Sequence, residues 1–269
     1  MNDLSFLMQE VVAIARNAGS AIMEVYASEI EVQHKVDNSP LTLADLAAHR
    51  IIESGLKQLM PRLPILSEES TAIPYTVRAD WQRYWLVDPL DGTREFIKRN
   101  GEFTVNIALI DEGKPILGVV YAPAMDLLYF ACCGAGAYMQ KESAEPVPLR
   151  ARMLDSARIT IAGSRSHSNA KLQSFIEKVG GNLSVPALIS LGSSLKICLV
   201  AEGKADVYPR LGPTSEWDTA AAQCVLEQAG GQLVDLDGMP LRYNSKESLL
   251  NLEFFARGAT PHHWGQYLD

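Results

Sequence analysis

The chain reads as an α/β protein, with an α+β first half and a layered α/β second half. Three observations predict this. Two amphipathic helical patterns open the chain, short apolar runs joined by tight turns follow between residues 103 and 131, and strand and helix patterns alternate beyond residue 155. At 269 residues and 29.5 kDa the chain can bury a large core, as one domain or as two closely packed halves. A polar, proline-containing stretch from Lys141 to Asp155 marks the expected boundary, giving an α+β half at 1–150 and an α/β half at 151–269.

The elements follow in order. Leu4, Leu7, Met8, Val11, Ala15, Ala18 and Ile22 recur at helical spacing, so residues 4–26 form a long amphipathic helix. A polar loop spans His34 to Pro40. Thr42 stands three residues before Asp45, the pattern of an N-cap and a first-turn acid, and predicts a helix to about Met60. Pro64-Ile65-Leu66 is a short strand that runs into Ser67-Glu68-Glu69. Tyr84–Val87 is another, predicted to end in a tight turn at Asp88-Pro89-Leu90-Asp91-Gly92-Thr93. There Pro89 sets one backbone angle, and Gly92 permits a close approach where a helix begins.

Phe103–Asp111, Pro115–Ala122 and Leu127–Ala131 are strands, with Asp111-Glu112-Gly113-Lys114 as a hairpin signal. Beyond the boundary, 158–162, 188–190 and 205–208 are expected strands, and 168–179, 194–202 and 217–229 expected helices. Gly230-Gly231 stops the last of these.

A composition of 47% hydrophobic and 21% charged residues is that of a soluble globular protein, and the net charge of −8 argues against a nucleic-acid polymer as partner. No run approaches the roughly 18 apolar residues that span a membrane, and the first residues lack the pattern of a secretory signal. The expected location is cytoplasmic, with peripheral attachment to the inner face of the inner membrane left open. Cys132, Cys133, Cys198 and Cys224 show no metal-binding spacing and read as reduced thiols. Oligomeric state is not legible.

Five acids share one kind of placement, at the ends of elements: Asp45, Glu68, Asp88, Asp91 and Asp218. Each alone has an ordinary explanation, such as an acid favoured by a helix dipole. If Glu68, Asp88, Asp91 and Asp218 converge, however, four negative charges repel strongly and call for counter-ions. Oxygen donors of this kind favour a hard divalent cation such as Mg²⁺. Two such ions about 4 Å apart suit phosphoryl chemistry, and the free amides of a helix start suit a phosphate.

Glu68-Glu69, Asp88–Thr93 and Trp217-Asp218-Thr219-Ala220-Ala221 resemble the motifs of the lithium-sensitive, Mg²⁺-dependent inositol monophosphatase superfamily. Segments 35–42, Arg94–Thr104, Gly192–Lys196 and Asp206–Arg210 are more similar still to bacterial CysQ-type 3'(2'),5'-bisphosphate nucleotidases. The resemblance implies a layered αβαβα sandwich. In it, Glu68, Asp88 and the Leu90 carbonyl hold one Mg²⁺, and Asp88, Asp91 and Asp218 hold another.

By the same resemblance, the Gly92 and Thr93 amides cradle the phosphate, with Glu68, Leu90, Asp91 and Asp218 also facing the substrate. Asp45 pairs with the Thr93 hydroxyl to activate water. His167, Ser193, Lys196 and Arg210 contact the nucleoside and its second phosphate, Arg210 through a two-pronged guanidinium. Lys196 also reads as an ordinary helix flank and Ser193-Ser194 after Gly192 as an ordinary N-cap, and Lys98-Arg99 as a solvated turn with a substrate role open. Glu69 and Asp37 stay open between supporting the metal ligands from behind or helping a weakly held third cation, and an exposed or loop-bracing role.

The implied reaction removes the 3'-phosphate of adenosine 3',5'-bisphosphate, giving AMP and phosphate, and recycles a by-product of sulfate assimilation. Competing readings are an inositol or sugar monophosphatase and a non-catalytic nucleotide or metal sensor.

Overall fold

A computed structural model describes residues 4–28, 32–34, 40–70, 73–163 and 170–268. The first half holds α1 (Leu4–Tyr26), the small ribbon β1 (Val32–His34) and β2 (Pro40–Thr42), α2 (Leu43–Gln58) and β3 (Ile65–Ser67). A 3₁₀ turn at Glu68–Ser70 follows, then α3 (Tyr75–Arg78), β4 (Arg83–Asp91), α4 (Thr93–Ile97), β5 (Thr104–Asp111) and β6 (Lys114–Ala122). β7 (Leu127–Cys132), β8 (Gly136–Lys141) and β9 (Val147–Pro148) complete a seven-stranded sheet in sequence order from β3 to β9, in which only β3 and β4 run parallel.

The second half contains β10 (Thr160–Gly163), α5 (Ala170–Asn182), β11 (Ala187–Ser190), α6 (Leu195–Ala201) and β12 (Val207–Arg210). A 3₁₀ turn at Glu216–Asp218 leads into α7 (Ala220–Gln228), β13 (Gln232–Asp235) and β14 (Phe254–Arg257). Its five strands lie in the order β11-β10-β12-β14-β13, with β10 parallel to both neighbours and β14 antiparallel to both of its own.

Side chains alternate across each sheet and so sort into layers. From the first sheet, Trp85, Val87, Ile107, Leu109 and Val119 meet Val11, Ile22, Ile52 and Leu56 of α1 and α2. The alternate residues Tyr84, Leu86, Ala108, Val120 and Ala131 face α6 and α7. The second sheet sends Ala162, Tyr208, Phe254 and Ala256 to that same helical layer. Its other face gives Ile161, Val207 and Phe255 to Phe175 and Val179 of α5. Helices, sheet, helices, sheet, helix is the αβαβα arrangement.

The middle layer is tight. Ala220, Ala221 and Ala222 are buried on α7, and a Cβ built at Gly118 of β6 would stand 2.2 Å from the Ala221 carbonyl oxygen. Small residues on both sides let the helix lie on the sheet at backbone distance. The stretch 141–155 includes β9 and then Leu149 and Ala151, which are buried in the same apolar interior as α6 and α7.

Three expectations change. The strand expected to end at Val87 continues to Asp91. Its register against β5 slips between Asp88, opposite Asn106, and Asp91, opposite Thr104, so two residues oppose one. A bulge accommodates Pro89, which has no N–H to give. Asp218 ends a 3₁₀ turn instead of opening the α-helix, which starts at Ala220. β8, β9, β13 and β14 go beyond the strands expected, and β10 and β12 lie about two residues downstream of their predicted places.

Candidate active site

β3 and β4 run parallel, with Ser67 opposite Val87, so the chain brings Glu68 and Asp88 side by side at one end of the sheet. The bulge then turns Asp91 toward the same point. One carboxylate oxygen from each of Asp88, Asp91 and Asp218 falls within 4.8 Å of the others.

Each acid is held. Asp88 Oδ1 accepts the Leu90 N–H at 3.0 Å. Asp91 Oδ2 accepts the N–H and hydroxyl of Ser194 at 2.7 and 2.8 Å, with Asn106 Nδ2 at 3.4 Å. Asp218 Oδ2 accepts the Ser215 N–H at 2.9 Å, half of a capping box that also uses the Ser215 side chain.

Convergence has an electrostatic cost. Burial, then the charges of Glu68, Asp91 and Asp218, push Asp88 well above the usual carboxylate range, and a side-chain hydrogen bond with Glu68 adds to this. Burial and then Asp91 push Asp218 up to about 8, with the Ser215 N–H opposing. Carboxylates in this situation take either protons or cations. An all-oxygen donor set from four acids and the Leu90 carbonyl fits a hard divalent cation. Glu68 stands beside Asp88 but outside the closest trio.

Next to the acids, Thr93 opens α4 after Gly92, whose φ of +93° only glycine adopts easily and where a Cβ would meet the Glu102 carbonyl oxygen at 3.2 Å. The Thr93 hydroxyl lies 3.3 Å from Asp45 Oδ1. Asp45 is buried, and its Oδ2 accepts both the N–H and the hydroxyl of Thr42, at 2.7 and 2.6 Å. The helix cap expected at Thr42 therefore also presents Asp45 to Thr93.

Another part of the wall is cationic. Lys196, in the first turn of α6, is 5% exposed; burial lowers its pKa to about 8, against the pull of Asp91. Its ammonium donates to the Ser193 carbonyl at 2.7 Å and stands 5.4 Å from the centre of the Tyr208 ring. Arg210 ends β12 and donates through Nη2 to the Pro213 carbonyl at 2.6 Å. Its Nε, like the Ser193 hydroxyl, is buried without a hydrogen-bond partner.

These walls enclose a cavity of about 1130 Å³. Glu68, Glu69, Asp88, Leu90, Asp91, Gly92, Thr93, Ser193, Lys196, Arg210 and Asp218 all line it, and Asp45 stands behind Thr93. Asp37 and His167 lie outside the described residues. Arg99 faces away: its guanidinium donates to the carbonyls of Tyr26 and Ser28 and so caps the end of α1. The four cysteines are free thiols, of which only Cys133 is exposed.

Ser194 and Asn106 are site residues that sequence reasoning missed. Ser194 looks like an N-cap. Asn106 carries the better signal, a lone amide inside the apolar run Val105–Ile110.

The fold and the acidic cluster define a family. The model for the inositol monophosphatase family matches residues 3–262, and the chain belongs to that family. Among its relatives, the chain is similar to the 3'(2'),5'-bisphosphate nucleotidase CysQ of Escherichia coli O157:H7, with 51% identity covering 92% of this chain and 98% of that protein. The protein of the same name from Haemophilus influenzae is 36% identical, over 96% of this chain and 95% of its own. Among solved structures, CysQ from Bacteroides thetaiotaomicron superposes with a TM-score of 0.83 at 40% identity, over 94% of this chain and 97% of that one. Among the described residues, no helix is long and apolar enough to cross a membrane.

Proposed function

We propose that the protein is a Mg²⁺-dependent phosphohydrolase that removes the 3'-phosphate of adenosine 3',5'-bisphosphate, giving AMP and inorganic phosphate. The observation that carries the reading is one cavity lined both by three carboxylates gathered within 4.8 Å of one another and by the buried Lys196 with Arg210. The first arrangement suits a phosphate under hydrolysis, the second a phosphate that is kept. Relatives named bisphosphate nucleotidases support the same substrate.

In this reading Glu68, Asp88 and the Leu90 carbonyl would hold one Mg²⁺, and Asp88, Asp91 and Asp218 a second. When bound, the ions neutralise the carboxylates, polarise the phosphoryl oxygens and make the attacking water more acidic. The chain supplies the rest. The Gly92 and Thr93 amides open α4, where first-turn N–H groups lack intrahelical acceptors, and they orient the phosphate. Thr93 directs its hydroxyl proton to Asp45, accepts a hydrogen bond from the water and relays that water's proton to the Asp45 carboxylate. Both Thr42 bonds to Asp45 Oδ2 keep Oδ1 pointed at Thr93.

Arg210 and Lys196 bind the 5'-phosphate, with Ser193 and His167 against the nucleoside. Residues 1–150 thus supply most metal ligands, and residues 151–269 supply Asp218 and the nucleotide contacts. The same reading assigns the reaction to the recycling of a by-product of sulfate assimilation and predicts inhibition by Li⁺.

The test is phosphate release from adenosine 3',5'-bisphosphate and from inositol monophosphate, with and without Mg²⁺. Release from the bisphosphate should dominate and require the metal. Preference for inositol monophosphate rejects the substrate; no release from either rejects hydrolysis.

A further inference from the structure

Asp91 belongs to the strand side of the site and Asp218 to the 3₁₀ turn of the second half, 127 positions later. One side chain touches both. The Ser194 hydroxyl lies 2.8 Å from Asp91 Oδ2 and 2.7 Å from the Asp218 backbone carbonyl oxygen. Its N–H adds a 2.7 Å bond to the same Asp91 oxygen. Asn106 Nδ2 donates to the hydroxyl oxygen at 2.8 Å, which leaves the single hydroxyl proton to Asp91 and Asp218. Ser194 is 3% exposed and Asn106 1%, so water does not compete for these bonds.

The backbone is shaped to deliver this residue. Gly192 passes so close to the first half that a Cβ there would stand 2.6 Å from the Glu102 carbonyl oxygen, and Ser193 takes a φ of +47°. An ordinary helix N-cap needs neither feature. No side-chain cap bond from Ser194 to α6 is present, so the capping explanation for its hydroxyl fails.

We infer that Ser194, oriented by Asn106, is the positioning residue that fixes the distance between Asp91 and Asp218 and thereby sets how tightly the cation they share is held. This rests on the metal site proposed above, not on the identity of the phosphorylated substrate. Hydrogen-bonding partners of metal ligands typically contribute about 10- to 100-fold in metal affinity.

The experiment uses Mn²⁺ alone as the probe, its binding to substrate-free protein followed by electron paramagnetic resonance. Ser194→Ala should weaken Mn²⁺ binding about 10- to 100-fold. Ser194→Thr, which keeps the hydroxyl, should stay within a few-fold of the parent. Ser194→Cys keeps nearly the same volume with a poor donor and serves if the alanine variant does not fold; it should behave like alanine. Activity on adenosine 3',5'-bisphosphate should fall at low Mg²⁺ and recover at high Mg²⁺.

Mn²⁺ binding unchanged in the alanine and cysteine variants would overturn the inference, as would a loss in cysteine and threonine variants alike. Parent protein that binds Mn²⁺ tightly but turns over no bisphosphate would remove only the substrate assignment.

Discussion

Asp91 takes three hydrogen bonds on one oxygen and Asp218 is gripped by a capping box. Across the same cavity, Arg210 leaves its Nε unpartnered, Ser193 leaves its hydroxyl unpartnered, and Lys196 donates to a single backbone carbonyl. The acidic end is therefore set before anything binds. Its ligands need not reorganise, which is what a metal centre with a fixed geometry requires. The cationic part keeps donors in reserve, and the proposed reading gives them an incoming anion to satisfy them. Chemistry at one end and recognition at the other should fail separately.

The largest expected effects lie at the acidic end. Asp88→Asn removes the ligand shared by both proposed ions and should lower kcat by roughly a thousandfold or more. Thr93→Val should lower kcat about 10²- to 10⁴-fold with Mn²⁺ binding retained. Steady-state kinetics with parallel metal titrations checks both, and a Thr93→Val variant that loses metal would merge two roles held here to be distinct.

An intermediate effect is expected at the cationic end. Arg210→Ala should raise KM for the bisphosphate by about 10- to 100-fold, the scale of a hydrogen bond to a charged group, and spare hydrolysis of a simple phosphate monoester. Equal loss on both substrates would erase the division of labour.

The smallest effect is on stability. Asp88 and Asp218 keep protons in the folded, metal-free protein above the pH at which an unfolded chain has released them, about 4. Glu216, pushed by burial to about 7, adds in the same direction. Between about pH 4 and about pH 8 the folded state binds more protons, so metal-free stability falls as pH rises through that window. Mg²⁺ replaces those protons, so its effect on Tm should grow over the same range to a few degrees. Calorimetric scans at several pH values, with and without Mg²⁺, test the sign. A gain that shrinks toward pH 8 would mean the acids are not sharing the cation.

What could be read ahead of the fold was local chemistry. Thr42 and Asp45 announced a helix start because a cap depends on neighbours three residues apart. The motifs around Asp88 and Asp218 carry the acids that converge. The bulge at Pro89 reads as a turn in the sequence, because proline and glycine break local patterns without saying whether a partner strand absorbs the break. β13 and β14 are four residues each and gain their pairing from distant chain, so periodicity had little to act on. Ser194 reads only as a cap for the same reason: both acceptors of its hydroxyl are remote, 103 residues away at Asp91 and 24 at Asp218. Asn106 was the available clue, since an amide in a buried strand needs a reason.

The seat of α7 on β6, at Gly118 against Ala221, bears on protein engineering. A chimera that borrowed its C-terminal portion from a homologue would import the counterpart of Asp218 just ahead of that helix. Any bulk at the glycine would meet the Ala221 carbonyl and the Cys224 Cβ, jack the helix off the sheet and carry the aspartate out of range of its partners. Successful grafts should therefore be chosen by the fit of a glycine to an alanine, at a place no assay of substrate preference would think to look.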